Sequence, residues 1–402
     1  QLAELRATLA KRPCLIVDGL FGIGLDRRLD PAWIEFIDEI NHAGPCILSI
    51  DVPSGLNAES GEHMGTAIEA DLTLTVGAPK EGLVQRQSYR YVGRLEVLPN
   101  VGLVPLRETK PAEDQPCYVT SARYSWTTAD EFGHYPPNRR IDAHKGTLGH
   151  TTIIAGSLGY HGAAVLAAQG ALHARPGLVT LFTPENVYQL AAAQLSAAMV
   201  HPWYRSKDLP QTATSLLIGP GLAAPGTAEV LRDVVNIYWQ HIPLPVIVDA
   251  SALDWLQPGR TPLSSRRVIT PHPGEAARML ETKVESVQQN RFAALKELSS
   301  RFGNCWVVLK GHQTLVGRAS GELYINSSGN PDLAQGGAGD VLAGFMAGLL
   351  AQPRLQSDPL KVIRYAVWRH GHAADELSRT RPGWVVGDLV QSLRSGRTPI
   401  AL

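Results

Sequence analysis

The sequence predicts an α/β protein of two domains, and three observations carry that reading. The chain has 402 residues, where a domain usually holds roughly 100–200. Short apolar runs ending in Asp, Gly or Pro alternate with segments of helical spacing, once in the first part of the chain and again after His150. Between the two series the composition turns to proline, charge and polar groups, as in PLRETKPAEDQP. Strands that are apolar throughout belong to parallel sheets covered on both faces. Ligands of such sheets gather at the carboxyl ends of the strands.

The elements follow in order. QLAELRATLAKRPC reads as a helix and a turn, and CLIVD (14–18) as a strand ending in an acid. PAWIEFIDEINHAG (31–44) has helical spacing, with Pro31 in the first turn and Gly44 as its stop. CILSID (46–51) and ADLTLTVG (70–77) are further strands. The polar stretch is an interdomain linker over 104–119, which leaves domains at 1–103 and 120–402. TTADEFGHY reads as a lead-in helix and HYPPNRR as a proline-terminated loop. HTTIIAGS (150–157) is a strand, and GAAVLAAQGALHA (162–174) a helix of small residues able to pack close to a sheet. GLVTLFTP, SLLIGPG, VIVDAS, VITPHPG and WVVLKG follow as strands. VLAGFMAGLLAQ (341–352) and LKVIRYAVWRHGHAADEL (360–377) are apolar helices.

Composition excludes several classes of function. Lys+Arg and Asp+Glu both number 37, for a net charge of zero. That argues against nucleic acid and anionic membrane as partners. No apolar run is long enough to span a bilayer, and the N-terminus lacks the apolar core of a signal peptide. Cys14, Cys46, Cys117 and Cys305 are widely spaced without CxxC pairing, which speaks against a zinc site or disulfide framework and for a reducing, cytoplasmic compartment.

The motifs that could carry chemistry begin with AQGGAGD (334–340), directly before a helix. Its glycines and the helix N-terminus suit an anion cradle. Asp340 either caps that helix or takes a proton from a hydroxyl attacking a phosphate; the run alone leaves both open. It does not match the Walker pattern. TPHPGE (270–275) presents His272 outward on a rigid turn, for a substrate amide or phosphate. KGHQT (310–314) places Lys310 and Thr314 at a strand end, to hold phosphate or ribose oxygens or simply to turn the chain. IGPGL (218–222), Asp249 in VDASAL and HKG (144–146) are expected on the same edge of that sheet. In the first domain, VDGLFGIGLDRR (17–28) and IDVPSGLN (50–57) repeat one device, an aspartate at a strand end followed by a glycine-rich turn. Asp18 and Asp51 then either serve a ligand or stabilise their turns.

Taken together, the motifs resemble the bifunctional NAD(P)H-hydrate repair enzymes, which fuse an NAD(P)HX epimerase to an ADP/ATP-dependent (S)-NAD(P)HX dehydratase. From about Thr120 onward HKG, AGSLGYHGAA, IGPGL, VDASAL, ITPHPGEAARML, VVLKGHQT, NSSGNPDLAQGGAGDVLAGFMAGLL and HGHAADEL occur in the family's order. VDGLFGIGLDRR, SIDVPSGLNAESG and ADLTLTVGAPKEGL resemble the epimerase. The resemblance implies a partial Rossmann-like domain followed by a ribokinase-like α/β domain. It implies that Asp340 is the dehydratase base and contacts the hydrate, with Ala163, Gly221 and His272. It implies that Lys310, Gly311, His312, Gln313, Thr314 and Gly339 hold the adenine nucleotide, which brings Mg²⁺. In the epimerase it implies K⁺ on Asp18 and Ser54, and substrate on Gly22, Ile23, Gly24, Leu25, Asp26, Arg27, Arg28 and Asp51, with Asp51 as acid/base. A homo-oligomer is implied as well.

Departures from the family pattern are Ala223, Ser251, Ala338 and the pair Arg175-Pro176. Nothing like the family's NNGGDG loop precedes Gln1, so the expectation is an epimerase domain truncated at its front, with exposed apolar sheet edges. Epimerisation is then expected of the intact domain rather than of this chain. Two competing readings are a ribokinase-type kinase of a small vitamin-like alcohol and a non-catalytic dinucleotide-binding protein.

Overall fold

The computed structural model describes residues 2–98, 101–102, 124–203, 209–262, 266–321 and 323–393, with the side chains of 228–230 excepted. The linker expected over 104–119 lies outside them. The chain divides into two compact units, Gln1–Ala122 and Arg123–Leu402.

The first unit runs α1 (Leu2–Leu9), β1 (Leu15–Asp18), α2 (Pro31–Ala43), β2 (Cys46–Ile50), β3 (Leu72–Val76), α3 (Tyr89–Val92) and β4 (Arg94–Leu98). The four strands form a parallel sheet in chain order. Pro31 opens α2, and Gly44 closes it at φ 65° with its N–H on the Asn41 carbonyl. Ile37 and Ile40 of α2 pack against Ile47 and Ile68. β1 is an edge strand of this sheet, and Leu15 and Val17 are 47% and 58% exposed. The apolar edge expected from the sequence is therefore present. β4, RLEVL, escapes the reading because two charges interrupt its apolar pattern.

The second unit contains β5 (Tyr124–Thr127), β6 (His150–Ile154), α4 (His161–His173), β7 (Leu178–Thr183), α5 (Glu185–Gln194), β8 (Met199–Pro202), β9 (Ser215–Ile218) and α6 (Thr227–His241). It continues with β10 (Val246–Val248), β11 (Arg267–Ile269), α7 (Pro273–Met279), α8 (Val284–Gln289), α9 (Arg291–Arg301), β12 (Trp306–Leu309), β13 (Leu315–Gly317) and β14 (Leu323–Asn326). α10 (Ala338–Leu350), α11 (Pro359–Thr380) and α12 (Val386–Ser392) complete it. The sheet order is β5-β14-β13-β12-β11-β10-β9-β6-β7-β8. Only β13 among these strands runs against its neighbours.

Two expectations are corrected here. TTADEFGHY is not a helix: Tyr124–Thr127 pairs with β14, and one 3-10 turn, Ala129–Phe132, follows, boxed by Thr128 and Glu131. Of that segment only Thr127 belongs to β5, and its helical part is confined to the one 3-10 turn. HKG (144–146) does not share an edge with the other motifs. It precedes β6 and so sits at the amino-terminal edge, where His144 lines a cavity of about 500 Å³ with Arg139, Arg140 and Arg354.

The small residues of α4 and α10 have a packing reason. A Cβ on Gly344 would fall 1.9 Å from the Ala167 carbonyl oxygen, and one on Gly348 2.6 Å from that of Ala171. The helices meet backbone to backbone, which fixes where α10 begins. Gly344→Ala is expected to lower unfolding stability by about 1–3 kcal/mol through overpacking, read as a lower urea midpoint with unchanged slope.

Candidate active site

The loops after β6, β9, β10, β11 and β12 emerge on one edge because those strands are parallel and in register. Val248 pairs with Ile269, so Asp249 and Thr270 leave the sheet side by side. The Lys310 N–H donates to the Pro271 carbonyl at 2.9 Å, which seats the next loop beside them.

A buried charge cluster results. Lys310 Nζ donates to Asp249 Oδ1 at 2.9 Å and lies 3.8 Å from Glu275 Oε2. Asp249 is 1% exposed and also accepts from Thr270 Oγ1 at 2.7 Å. Lys310 Nζ is 3.3 Å from the place a Gly339 Cβ would occupy, so a side chain there would crowd the ammonium. Burial alone would lower the Lys310 pKa, but Asp249, Glu275 and Asp340 outweigh it and raise it.

Asp340 lies in the first turn of α10, and the residue in the cap position is Gly337, at φ 93°. The cap reading of Asp340 therefore fails. Burial, then the Asp249 carboxylate, pushes the Asp340 pKa up to about 7, against the opposing pull of Lys310. A carboxyl group near neutrality is matched to proton transfer at physiological pH.

His272 is more constrained than an outward-facing loop residue. It caps α7: its Nδ1 accepts from Gly274 N at 3.0 Å and Glu275 N at 3.3 Å, while Glu275 Oε2 accepts from His272 N at 2.7 Å. Burial, with help from Lys310 and Arg278, lowers the imidazole pKa despite Glu275. The ring is half-exposed, and its Nε2 lies 3.4 Å from Glu275 Oε1. Gly221, at φ 66°, packs against Ala163: a Cβ there would come within 2.9 Å of the Ala163 Cβ. The turns after β6 and β9 thus support each other. Ser157 stitches them, donating to the Gly221 carbonyl at 2.6 Å and accepting from Ala224 N at 3.0 Å.

Lys310, Gly311, His312, Gln313, Thr314 and Gly339 all line one cavity of about 430 Å³. Ala163, Gly221, His272 and Asp340 do not line it. Its far wall comes from residues that had no role in the sequence reading. His370 Nε2 donates to the Ala338 carbonyl at 2.9 Å, and burial lowers its pKa to about 4. Asp375 accepts from Gly329 N and Asn330 Nδ2, both at 2.9 Å, and ties the SSGNP loop to α11. NSSGNP and HGHAADEL are visible motifs, but nothing in their spacing announces that they meet.

In the first unit the two aspartate devices diverge. Asp18 is 3% exposed, and its Oδ2 accepts from Ser49 Oγ and Ser54 N, both at 2.8 Å. Ser54 Oγ accepts from Phe21 N at 2.8 Å. Asp51, at φ 69°, turns toward β3 instead. Its Oδ1 accepts from Val76 N at 2.9 Å and from the Lys80 ammonium. Burial would raise the Asp51 pKa, but Lys80 and the Val76 N–H lower it. Gly22, Gly24, Leu25, Asp26, Arg27 and Arg28 line a cavity of about 380 Å³. Ile23 is 66% exposed and, like Asp18, Ser54 and Asp51, is not on that cavity's wall. Lys80 went unnoticed in the sequence because it lies past the strand, in a turn without a chemical signature.

Two protein families match this chain. The NAD(P)H-hydrate dehydratase family matches residues 151–394, and the YjeF-related protein N-terminus matches residues 2–82. The bifunctional NAD(P)H-hydrate repair enzyme Nnr of Coxiella burnetii is 36% identical over 390 residues, covering 94% of this chain and 75% of its own length. Its Vibrio cholerae counterpart is 35% identical over 389 residues, covering 94% and 74%. Among solved structures, the ADP/ATP-dependent NAD(P)H-hydrate dehydratase of Bacillus subtilis, co-crystallised with ATP/Mg²⁺, is 32% identical. It superposes with a TM-score of 0.56 over 64% of this chain and 91% of that one. A ribokinase-like superfamily protein of Enterococcus faecalis, 26% identical, gives a TM-score of 0.60 over 68% and 95%. With both domains matched in order and relatives 35–36% identical over 94% of its length, the chain belongs to the bifunctional NAD(P)H-hydrate repair enzymes.

Proposed function

We propose that this chain repairs hydrated nicotinamide dinucleotides. The domain at 120–402 dehydrates (S)-NAD(P)HX at the expense of ADP or ATP, and in the intact protein the N-terminal domain, here 1–103, converts (R)- to (S)-NAD(P)HX, with 104–119 as the linker. The observation that carries the dehydratase reading is Asp340. It is a partly buried carboxyl group poised near pH 7, and its neighbour Gly339 lines the 430 Å³ cavity.

The hydrate hydroxyl is a poor leaving group. Asp340 takes its proton as the oxygen attacks the terminal phosphorus of the nucleotide, and the shortened nucleotide departs. Phosphate then leaves the substrate, the neighbouring ring carbon gives up its proton, which departs with the phosphate, and the double bond of NAD(P)H re-forms. Ala163, Gly221 and His272 seat the hydrate, while the 310–314 loop and Gly339 hold the nucleotide. Backbone amides at the start of α10 and the Lys310 ammonium stabilise the transferring phosphoryl group. Among the described residues no group of three or more His, Cys, Asp or Glu side chains could hold a metal ion. Mg²⁺ bound with the nucleotide would neutralise phosphate charge during the transfer.

In the first unit Asp51 is the acid/base, and Lys80 keeps it ionised. Asp18 and Ser54 offer hard oxygen donors suited to K⁺, and Gly22 to Arg28 would contact substrate. Lys80→Met removes the charge that offsets burial, so the Asp51 pKa rises. In the intact protein, interconversion of (R)- and (S)-NADHX, followed by chromatography, should weaken, with the acid limb of its pH profile moved to higher pH. The reading includes a cytoplasmic homo-oligomer acting on small molecules. No described helix is long and apolar enough to cross a membrane.

One assay tests the whole reading: NADHX with ADP or ATP, with and without added epimerase, following NADH absorbance and free phosphate together. Recovery of both is the expected result. A phosphorylated product without free phosphate would instead indicate a kinase of the ribokinase type. Thermal stabilisation by dinucleotide without turnover would indicate a binding protein.

A further inference from the structure

Arg291 is a buried arginine, 6% exposed, outside every motif that drew attention in the sequence. It is the first residue of α9, whose start is pinned by Asn290 Oδ1 accepting from Ala293 N at 3.0 Å. Its guanidinium reaches under the loop that leaves β12. Nη2 donates to the Leu309 carbonyl at 3.2 Å, and Nη1 donates to the His312 carbonyl. Nη2 also lies 3.2 Å from where a Gly311 Cβ would stand, so the loop rests directly on the guanidinium.

The loop needs such a clamp. Gly311 sits at φ 136° and Gln313 at φ 51°, and a non-glycine residue in the left-handed region persists only where its surroundings hold it. Arginine suits the task because one rigid fork carries five donors and can serve two carbonyls at once. The bonds are charge-assisted, hence stronger than neutral ones. Pinning a carbonyl also orients the next amide, since C=O and N–H of a planar trans peptide point in opposite directions. With the His312 carbonyl held down on Arg291, the Gln313 N–H points away from the guanidinium. The Leu309–Lys310 peptide behaves in the same way, and its N–H goes to the Pro271 carbonyl.

We infer that Arg291 is a positioning residue for the adenine nucleotide: by holding the Leu309 and His312 carbonyls it sets the loop that presents Lys310 to Thr314 to the nucleotide cavity. This rests on the nucleotide-site reading above. Arg291 touches neither hydrate nor Asp340 in this scheme, so it governs nucleotide affinity rather than the chemical step.

The test compares wild type, Arg291→Lys and Arg291→Met in the full chain. ADP affinity is measured by calorimetry, steady-state parameters with NADHX, and amide exchange over residues 309–314. Lys keeps the buried charge but not the two-pronged grip. It is expected to fold, to lose amide protection across that loop, and to bind ADP about 10-fold more weakly. Its KM for ADP should rise in parallel, with kcat and the KM for NADHX within about 2-fold. Met should show a larger ADP defect than Lys if it folds, and the conclusion stands on Lys if it does not. Unchanged ADP affinity in Arg291→Lys, or an equal rise of both KM values, overturns the proposal. Wild type that fails to bind ADP overturns the nucleotide-site reading instead.

Discussion

Asp340→Asn is expected to reduce NADHX turnover with ADP by about 10²–10⁴-fold, the usual contribution of a positioned general base, while ADP still binds within a few-fold of wild type. Wild-type turnover should climb with pH through about 7 as Asp340 ionises, because burial and Asp249 have raised its pKa there. The residual activity of the Asn protein should lack that limb. Stability supplies an independent check. A carboxyl group whose folded pKa lies above its ordinary 3.8 binds its proton more tightly when folded. Folding is therefore penalised progressively as pH rises from about 4 to about 7. Asn carries no such charge, so the variant should be at least as stable as wild type at pH 8 in urea, and the gap should close at low pH. Phosphate release, calorimetry and urea melts at two pH values read all three. Near-normal phosphate release would remove Asp340 from the mechanism.

Lys310→Met is expected to be the most damaging single change for stability and nucleotide binding together. Removing the ammonium leaves Asp249 and Glu275 buried beside one another without their cation. Breaking a buried pair from one side costs about 3–5 kcal/mol. The Lys310 pKa is raised, so with its carboxylate partners ionised the pair's contribution is complete from neutral pH up to the ordinary lysine value of 10.5 and is lost as pH climbs past the folded pKa. The deficit should accordingly be present across the neutral range. Lys310 also lowers the Asp340 pKa, so any remaining turnover should show its acid limb moved to higher pH. ADP binding should vanish in calorimetry at concentrations that saturate wild type. Lys310→Arg is not expected to rescue it, since the ammonium already sits 3.3 Å from the Gly339 Cβ position and a guanidinium is larger. A Met variant with wild-type ADP affinity would mean that Lys310 serves only the fold.

Much of the architecture was legible because it is written in local pattern. The apolar runs at 150–157, 215–218 and 306–309 are buried parallel strands, and the Pro31 and Gly44 signals mark the ends of α2. β4, β5, β8, β13 and β14 were not legible. They are short or charge-interrupted segments that become strands only because a neighbour offers them an edge. The same limit governs the site. KGHQT and GGAGD each show a turn and a charge at an element boundary, whereas the Asp249 and Glu275 partners of Lys310 lie 61 and 35 positions earlier in the chain.

What the sequence by itself determined is the alternation of buried strands and helices, the two-domain organisation, and an acid placed just inside a helix behind a glycine run. Periodicity and turn chemistry act over a few residues, so they survive without any knowledge of the fold. Only the tertiary structure decided what surrounds the acids. Strand register brings Asp249 beside Lys310, burial removes the water that would otherwise keep Asp340 an ordinary carboxylate, and Lys80 draws Asp51 away from the arrangement that Asp18 keeps. A pKa is set by the charges and the solvent within a few ångströms, and those neighbours come from distant parts of the chain.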